Sequence, residues 1–81
     1  MPIKALIFCK VEHKAMVHVI EQFNKVPEIK KVFSLTGDYD ILAEIEVEST
    51  DELYQSFAKN IDPIDGIINT NTHVVMQEFL K

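Results

Sequence analysis

The chain has no arginine and no tryptophan, and its 81 residues include only one cysteine, two glycines and three prolines. Each shortage narrows the possibilities. All eight basic residues are lysines, set against thirteen acidic ones, for a formal charge of −5. Nucleic-acid affinity rests largely on cationic side chains neutralising phosphate, so an acidic, arginine-free chain is a poor direct binder of DNA or RNA. The single thiol, Cys9, cannot form an internal disulfide. No Cys/His spacing matches a zinc site, so no metal or cofactor is expected. His13 and His18 stand five positions apart, a poor spacing for one helical face, and the ordinary reading of both is a surface histidine.

Long apolar runs are missing too. The stretch Leu6–Cys9 lies between Lys4 and Lys10 and is far too short for a signal-peptide core or a membrane span. A lone thiol without an export signal fits a cytoplasmic protein. Catalytic constellations are equally absent: there is no paired acid/base motif, no phosphate-cradling glycine loop and no nucleophile elbow. No catalytic residue is assigned, and an enzyme is not expected.

Apolar content is plentiful, at 47% of the residues. The length predicts a single domain over residues 1–81. A domain of about 60 residues buries only roughly 60% of its unfolded surface. Small domains draw further stability from disulfides, metals or oligomerisation, and only the last is open to this chain.

Periodicity then gives the elements. Met1–Val11 reads as a strand with Ile3, Ala5, Ile7, Cys9 and Val11 on one face and Leu6 and Phe8 in the middle of the other. His13–Lys25 reads as a helix whose Met16, Val19, Ile20 and Phe23 make one apolar stripe, ended by Pro27. Glu28–Thr36 is a second strand, with Ile29, Lys31, Phe33 and Leu35 on one face. Asp40–Glu48 is the clearest strand, alternating Ile41, Ala43, Ile45 and Val47 with Leu42, Glu44, Glu46 and Glu48. The Gly37-Asp38-Tyr39 turn joins these two into a hairpin. Ser49 and Glu52 have capping-box spacing, and the helix they open carries Leu53, Tyr54, Phe57, Ala58 and Ile61 on one side. Asp62-Pro63 ends it, Asp65-Gly66 turns the chain, and Ile67–Phe79 is the last strand, with Ile68, Thr70, Thr72, Val74 and Met76 on one face.

The order βαββαβ predicts an α+β, ferredoxin-like fold: an antiparallel four-stranded sheet with two helices on one face. The other face is left open, and it should carry the less extensive apolar set of the first strand, Leu6 and Phe8. A second copy stacked sheet to sheet would cover it, so Leu6 and Phe8 are the expected homodimer interface in a dimeric α/β-barrel arrangement.

Thr36-Gly37-Asp38-Tyr39-Asp40-Ile41-Leu42, closing the central hairpin, resembles the threonine-glycine-acid-aromatic-aspartate segment of the Lrp/AsnC effector-binding domain, the RAM domain. The opening strand Ala5–Val11, the helix start Asp51-Glu52-Leu53-Tyr54, and Ile64-Asp65-Gly66-Ile67 leading to Thr70-Asn71-Thr72-His73-Val74-Val75 agree in place and type. The resemblance thus covers essentially the whole chain. It implies domains that dimerise through facing sheets, dimers that join into octamers or similar rings, and a small amino-acid effector held in clefts between dimers. Members usually carry a helix-turn-helix ahead of this domain. Here Met1 stands immediately before the first strand, so a stand-alone form without direct DNA contact is expected, acting on full-length Lrp/AsnC regulators by joining their assemblies.

The expected ligand-binding residues are Thr36, Gly37, Asp38, Tyr39, Asp40, Thr70, Asn71 and Thr72. The amides of a tight turn can hold a carboxylate. Asp38 or Asp40 can take an ammonium group through a charge-assisted hydrogen bond. Without arginine, the amides, the threonines, Asn71 or a lysine must serve the carboxylate. A plainer reading stands beside each. Gly37 supplies positive φ and Asp38 stabilises the turn. Tyr39 packs on a dimer partner as readily as on a ligand. Thr70 and Thr72 are good strand formers, whereas Asn71 is less at home in a strand and the better contact candidate. Cys9 reads as a core thiol, and Glu44, Glu46 and Glu48 as a solvated stripe or edge protection.

The leading expectation is an amino-acid sensor. Two rivals come from other classes: a ligand-independent assembly adaptor for full-length regulators, and a small dimeric α+β barrel enzyme. The enzyme requires a deep pocket between sheet and helices, lined by His or Asn.

Overall fold

The structure is a computed structural model and describes residues 2–81. Its elements run β1 (Ile3–Val11), α1 (Met16–Phe23), β2 (Ile29–Ser34), β3 (Ile41–Val47), α2 (Thr50–Ser56) and β4 (Ile67–Val74). The four strands form one antiparallel sheet in the order β2-β3-β1-β4. This is the expected βαββαβ, ferredoxin-like arrangement. Of the predicted first strand, Met1 lies outside the described residues.

Period-2 alternation decides which face is buried. In β1, Ala5, Ile7 and Cys9 are fully buried, and in β3 so are Ile41, Ala43 and Ile45, with Val47 nearly so. Both helices pack on that face: Val19 and Phe23 from α1 and Ile61 from the end of the second helix are fully buried in the same cluster. Leu6 and Phe8 stand on the opposite, helix-free face and remain partly exposed. Two rows cross that open face. One is His73–Leu6–Glu44–Lys31 and the other Asn71–Phe8–Leu42–Phe33. Because β3 is an inner strand, Glu44 and Glu46 do not guard an edge; they lie on the open face, with Lys4 opposite Glu46 and Lys31 opposite Glu44.

Several local expectations change. Helix α1 begins at Met16 because Lys14 adopts φ +72, a left-handed conformation that a helix cannot contain. In β2 the pairing steps from Ile29↔Ile45 to Lys31↔Glu44, so Lys30 is an extra residue. That bulge reverses the alternation: Ile29 faces the core, while Lys31 and Phe33 face away, and Val32 takes the inward place opposite Ala43. Ser49 Oγ accepts from Glu52 N at 3.1 Å, as a cap should. The Glu52 carboxylate reaches back one residue further than a capping box requires, to Glu48 N at 3.2 Å.

Helix α2 continues directly into a π-helical turn, Phe57–Ile61, closed by Asp62 N donating to Phe57 O at 2.8 Å. Leu53, Phe57 and Ile61 reach the core, but Tyr54 points to solvent. At the start of β4, pairing passes from Val11↔Ile67 to Lys10↔Asn69, leaving Ile68 as an exposed bulge residue rather than a member of the Thr70–Val74 face. The strand ends at Val74, short of the predicted Phe79; Val75 N still reaches Lys4 O at 2.8 Å, and Met76 is fully exposed. No helix among the described residues is long and apolar enough to cross a membrane.

Candidate functional site

The hairpin turn between β2 and β3 is held by its flanks. Leu35 N donates to Asp40 O at 2.8 Å, and Asp40 N donates to Cys9 O at 2.9 Å. The Asp40 carboxylate is also engaged: its Oδ2 accepts from Val11 N at 2.9 Å. The Cys9↔Ile41 pair is the last of the β1–β3 ladder, and Asp40 supplies the acceptor that Val11 would otherwise lack on that side. A structural duty therefore falls on the carboxylate that the sequence offered as a ligand for ammonium. Asp38 differs. Among the described residues no hydrogen bond engages the Asp38 carboxylate or the Thr36 hydroxyl, and both residues are exposed. Between them Gly37 takes φ +104, with nothing within 4 Å of where a Cβ would stand. Its conformation is left-handed and the space above it is open.

Tyr39 joins the turn to β4. Its hydroxyl accepts a hydrogen bond from Asn71 Nδ2 at 3.3 Å. Its ring rests on Phe8, with centroids 5.6 Å apart and planes at 51°. Phe8 also meets His73 edge-on, at 5.5 Å and 87°. Tyr39, Asn71, Phe8 and His73 thus form one cluster at the turn end of the open face. Of the predicted β4 residues only Asn71 belongs to it. Thr70 and Thr72 pair with Cys9 and Ile7, the inward-facing residues of β1, and so stand on the other face of the strand.

Sequence reasoning assigned Phe8 only to an interface and made His73 no part of a site. The signal that could have found them is the β1–β4 register, with Phe8 opposite Asn71 and Leu6 opposite His73. That register is set by the Ile68 bulge, which the sequence does not announce.

The rest of the molecule bears on the alternatives. The space between sheet and helices is filled by Ile7, Cys9, Val19, Phe23, Ile41, Ile45 and Ile61, all without solvent exposure. Cys9 sits among them, and burial pushes its thiol up to about 11, so it is protonated and inert at neutral pH. The concavities lie outside the core. One, of about 380 Å³, runs between the outer faces of the two helices and is lined by His18, Lys25, Lys59 and Asn60 among others. Another, of about 400 Å³, lies beside Asp40 and the Glu12–Lys14 loop. Among the described residues, no group of three or more His, Cys, Asp or Glu side chains is placed to hold a metal.

The helix-covered antiparallel sheet leaves a polar turn open to solvent at one end of its bare face. The chain belongs to the Lrp/AsnC ligand-binding domain family, which it matches over residues 4–81. It is 33% identical over 75 residues to the HTH-type transcriptional regulator FL11 of Pyrococcus furiosus, a match covering 93% of this chain and 49% of that protein. It is 32% identical over 77 residues to a homocitrate synthase of Sulfurisphaera tokodaii, covering 94% of this chain but only 16% of the enzyme. The chain spans about half the length of the regulators it matches. Among solved structures, Escherichia coli AsnC superposes with a TM-score of 0.92 at 22% identity, over 98% of this chain and 54% of that one. TTHA0845 from Thermus thermophilus superposes with a TM-score of 0.90 at 22% identity, over 98% and 99% of the two chains. The regulator NMB0573 of Neisseria meningitidis, solved as a complex with L-Met, gives 0.89 at 18% identity, over 98% and 53%. At these identities the superpositions establish a shared fold.

Proposed function

We propose that this chain is an amino-acid-sensing domain of the Lrp/AsnC type. In this reading the effector sits at an interface between dimers, against the turn Thr36–Asp40. The Asp38 carboxylate takes the ammonium group, the outward amides around Gly37 and the Thr36 hydroxyl take the carboxylate, and Tyr39 with Asn71 forms the wall. Thr70 and Thr72 would contribute only from the opposite face of β4, through a neighbouring dimer. The dimers themselves form through the open face around Leu6 and Phe8 and join into an octamer or similar ring. The protein is cytoplasmic, is not an enzyme, and acts on transcription regulators indirectly by entering or leaving their assemblies.

The observation that carries this reading is the unengaged Asp38 carboxylate beside an open glycine turn that Tyr39 ties to Asn71 at 3.3 Å, in a chain of the ligand-binding family. That a family-fold protein was solved with L-Met is consistent with an amino-acid class of ligand. Effector binding changes assembly only if the two assembly states differ in affinity for it.

A thermal-melt screen against the twenty amino acids at millimolar concentration tests the proposal. A ligand at about a hundred times its Kd adds roughly 2.7 kcal/mol, which moves the melt of a small domain by roughly 10–20 °C. Selective shifts by one or two amino acids are expected. A flat screen, with co-purification of a full-length regulator insensitive to every amino acid, would instead establish the adaptor reading. The side chains that fill the space between sheet and helices support the regulatory reading over the enzyme one.

A further inference from the structure

The outer side of the helix layer carries a concavity that the turn site does not use. It has a volume of about 380 Å³ and lies between α1 and the π-helical turn Phe57–Ile61. Cations reach it from both helices: Lys25 follows α1, and Lys59 belongs to the π turn. His18 stands in the same lining, and Asp65 is its one acidic residue. In a chain of formal charge −5, this local excess of positive charge runs against the average. Among the described residues neither Lys25 nor Lys59 forms an ion pair. Both charges are free for a group brought from outside.

The backbone departs from α geometry at this place. Asp62 N donates to Phe57 O at 2.8 Å, five residues back rather than four, so the turn holds an extra residue. Phe57 and Ile61 both still reach the core, and the wider turn sets Lys59 and Asn60 in the wall of the concavity. Asn60 is fastened there. Its Nδ2 donates to Ser56 Oγ at 3.5 Å, and Ser56 Oγ donates to Glu28 Oε1 at 3.1 Å. Ser56 is buried, which ties this anchor to the body of the domain. Single π turns are hydrogen-bonded less well than α-helix and occur frequently at functional sites.

The lining also selects among anions. Lysine ammonium groups are compact point charges that suit phosphate. Among the described residues no Phe or Tyr lines the concavity, so it offers no stacking platform for a nucleobase. Its volume falls near the lower end of the range of about 300–1,000 Å³ for small-molecule sites. Val26 and Ile64 supply an apolar floor, and the side-chain amides of Gln22 and Asn60 can meet hydroxyl groups. We infer that this concavity is a second effector site, taking a small phosphomonoester of a non-aromatic alcohol. The phosphate lies between Lys25 and Lys59, and the hydroxyls face Gln22 and Asn60. The site is separate from the turn at Thr36–Asp40 and does not depend on amino-acid binding there.

The test is an NMR titration of the ¹⁵N-enriched full chain with glycerol 3-phosphate, alongside glycerol and citrate. The amides of Val26, Asn60 and Ile64 should shift saturably with glycerol 3-phosphate, at a Kd on the order of 1 mM or tighter. Glycerol should leave them in place. Lys25→Gln and Lys59→Gln should each weaken the binding roughly tenfold. Both lysines are exposed, so the variants should keep the far-UV CD spectrum of the parent. Lys31→Gln, on the opposite face of the sheet, removes the same charge and should leave the affinity unchanged. Absent or non-saturating shifts overturn the site, as do shifts centred on the Thr36–Asp40 turn. Equal weakening in all three variants overturns it too, by reducing the effect to net charge. Citrate bound more tightly than glycerol 3-phosphate overturns the assignment to a phosphomonoester.

Discussion

Asn71 donates its side-chain amide to the hydroxyl of Tyr39 at 3.3 Å, joining two residues 32 positions apart. Tyr39 belongs to the turn before β3 and Asn71 to the edge strand β4, and Phe8 of β1 lies beneath the tyrosine ring. The contact is exposed, so its contribution to the isolated fold is small, at roughly 0.5 kcal/mol or slightly more. Its consequence is geometric: it sets where the wall of the proposed cleft stands. Tyr39→Phe keeps the ring on Phe8 and removes the hydroxyl. It should unfold within about 2–4 °C of the parent while losing a large part of any effector-induced melting shift. Equal shifts in both proteins would take the hydroxyl out of ligand contact.

The two aspartates of the turn should separate cleanly. Asp40→Ala leaves the part-buried Val11 N–H without its acceptor, at a cost of about 1–3 kcal/mol in urea denaturation. Asp38→Ala touches nothing in the fold and should stay within about 0.5 kcal/mol of the parent. By calorimetry the same Asp38 variant should bind the effector roughly 10–100-fold more weakly, the worth of a charge-assisted hydrogen bond. Unchanged affinity would remove the ammonium-binding role from Asp38.

Gly37 and Gly66 share a left-handed backbone, at φ +104 and +101, but not their surroundings. A Cβ on Gly37 meets open space, whereas one on Gly66 would come within 2.6 Å of Ala15 Cβ, where β4 begins beside α1. Gly37→Ala should cost only the backbone strain of about 1–2 kcal/mol. Gly66→Ala adds a clash that the two elements must move apart to relieve, and overpacking of this kind costs about 1–3 kcal/mol more. Chemical denaturation of both variants compares them directly, and equal losses would mean that the β4–α1 junction yields easily.

Cys9 gives stability an alkaline limit. Its folded-state pKa, about 11, lies above the ordinary thiol value of 9.0 because the thiolate would be buried without solvation. Below pH 9 the thiol is protonated in both states and folding is unaffected. As pH rises from about 9 to about 11 the unfolded chain ionises first, and stability falls through that window. Cys9→Ala loses packing but should flatten this part of the pH–stability curve. In the parent, iodoacetamide at pH 8 should label the thiol only under denaturing conditions.

Sequence and structure divide the credit along the line between local and non-local physics. The strict alternation Ile41, Ala43, Ile45, Val47 could bury only one face of β3, and those four residues are its core. The two apolar sets of β1 were unequal, and the smaller, Leu6 and Phe8, stands on the open face. Ser49 announced its cap, and the order of elements announced the βαββαβ arrangement. All of these are properties of neighbouring residues and of a period set by backbone geometry.

Contacts between distant segments were settled only in three dimensions. Bulges at Lys30 and Ile68 each insert one residue into a ladder, and one residue is enough to exchange the faces of a strand. Hence Phe33 turned outward, and Ile68 parted from Thr70, Thr72 and Val74. That Asp40 is engaged follows from Val11 N, 29 positions from its acceptor. No periodicity records such a distance, because a strand's alternation tells which side a residue faces but not which strand lies beside it.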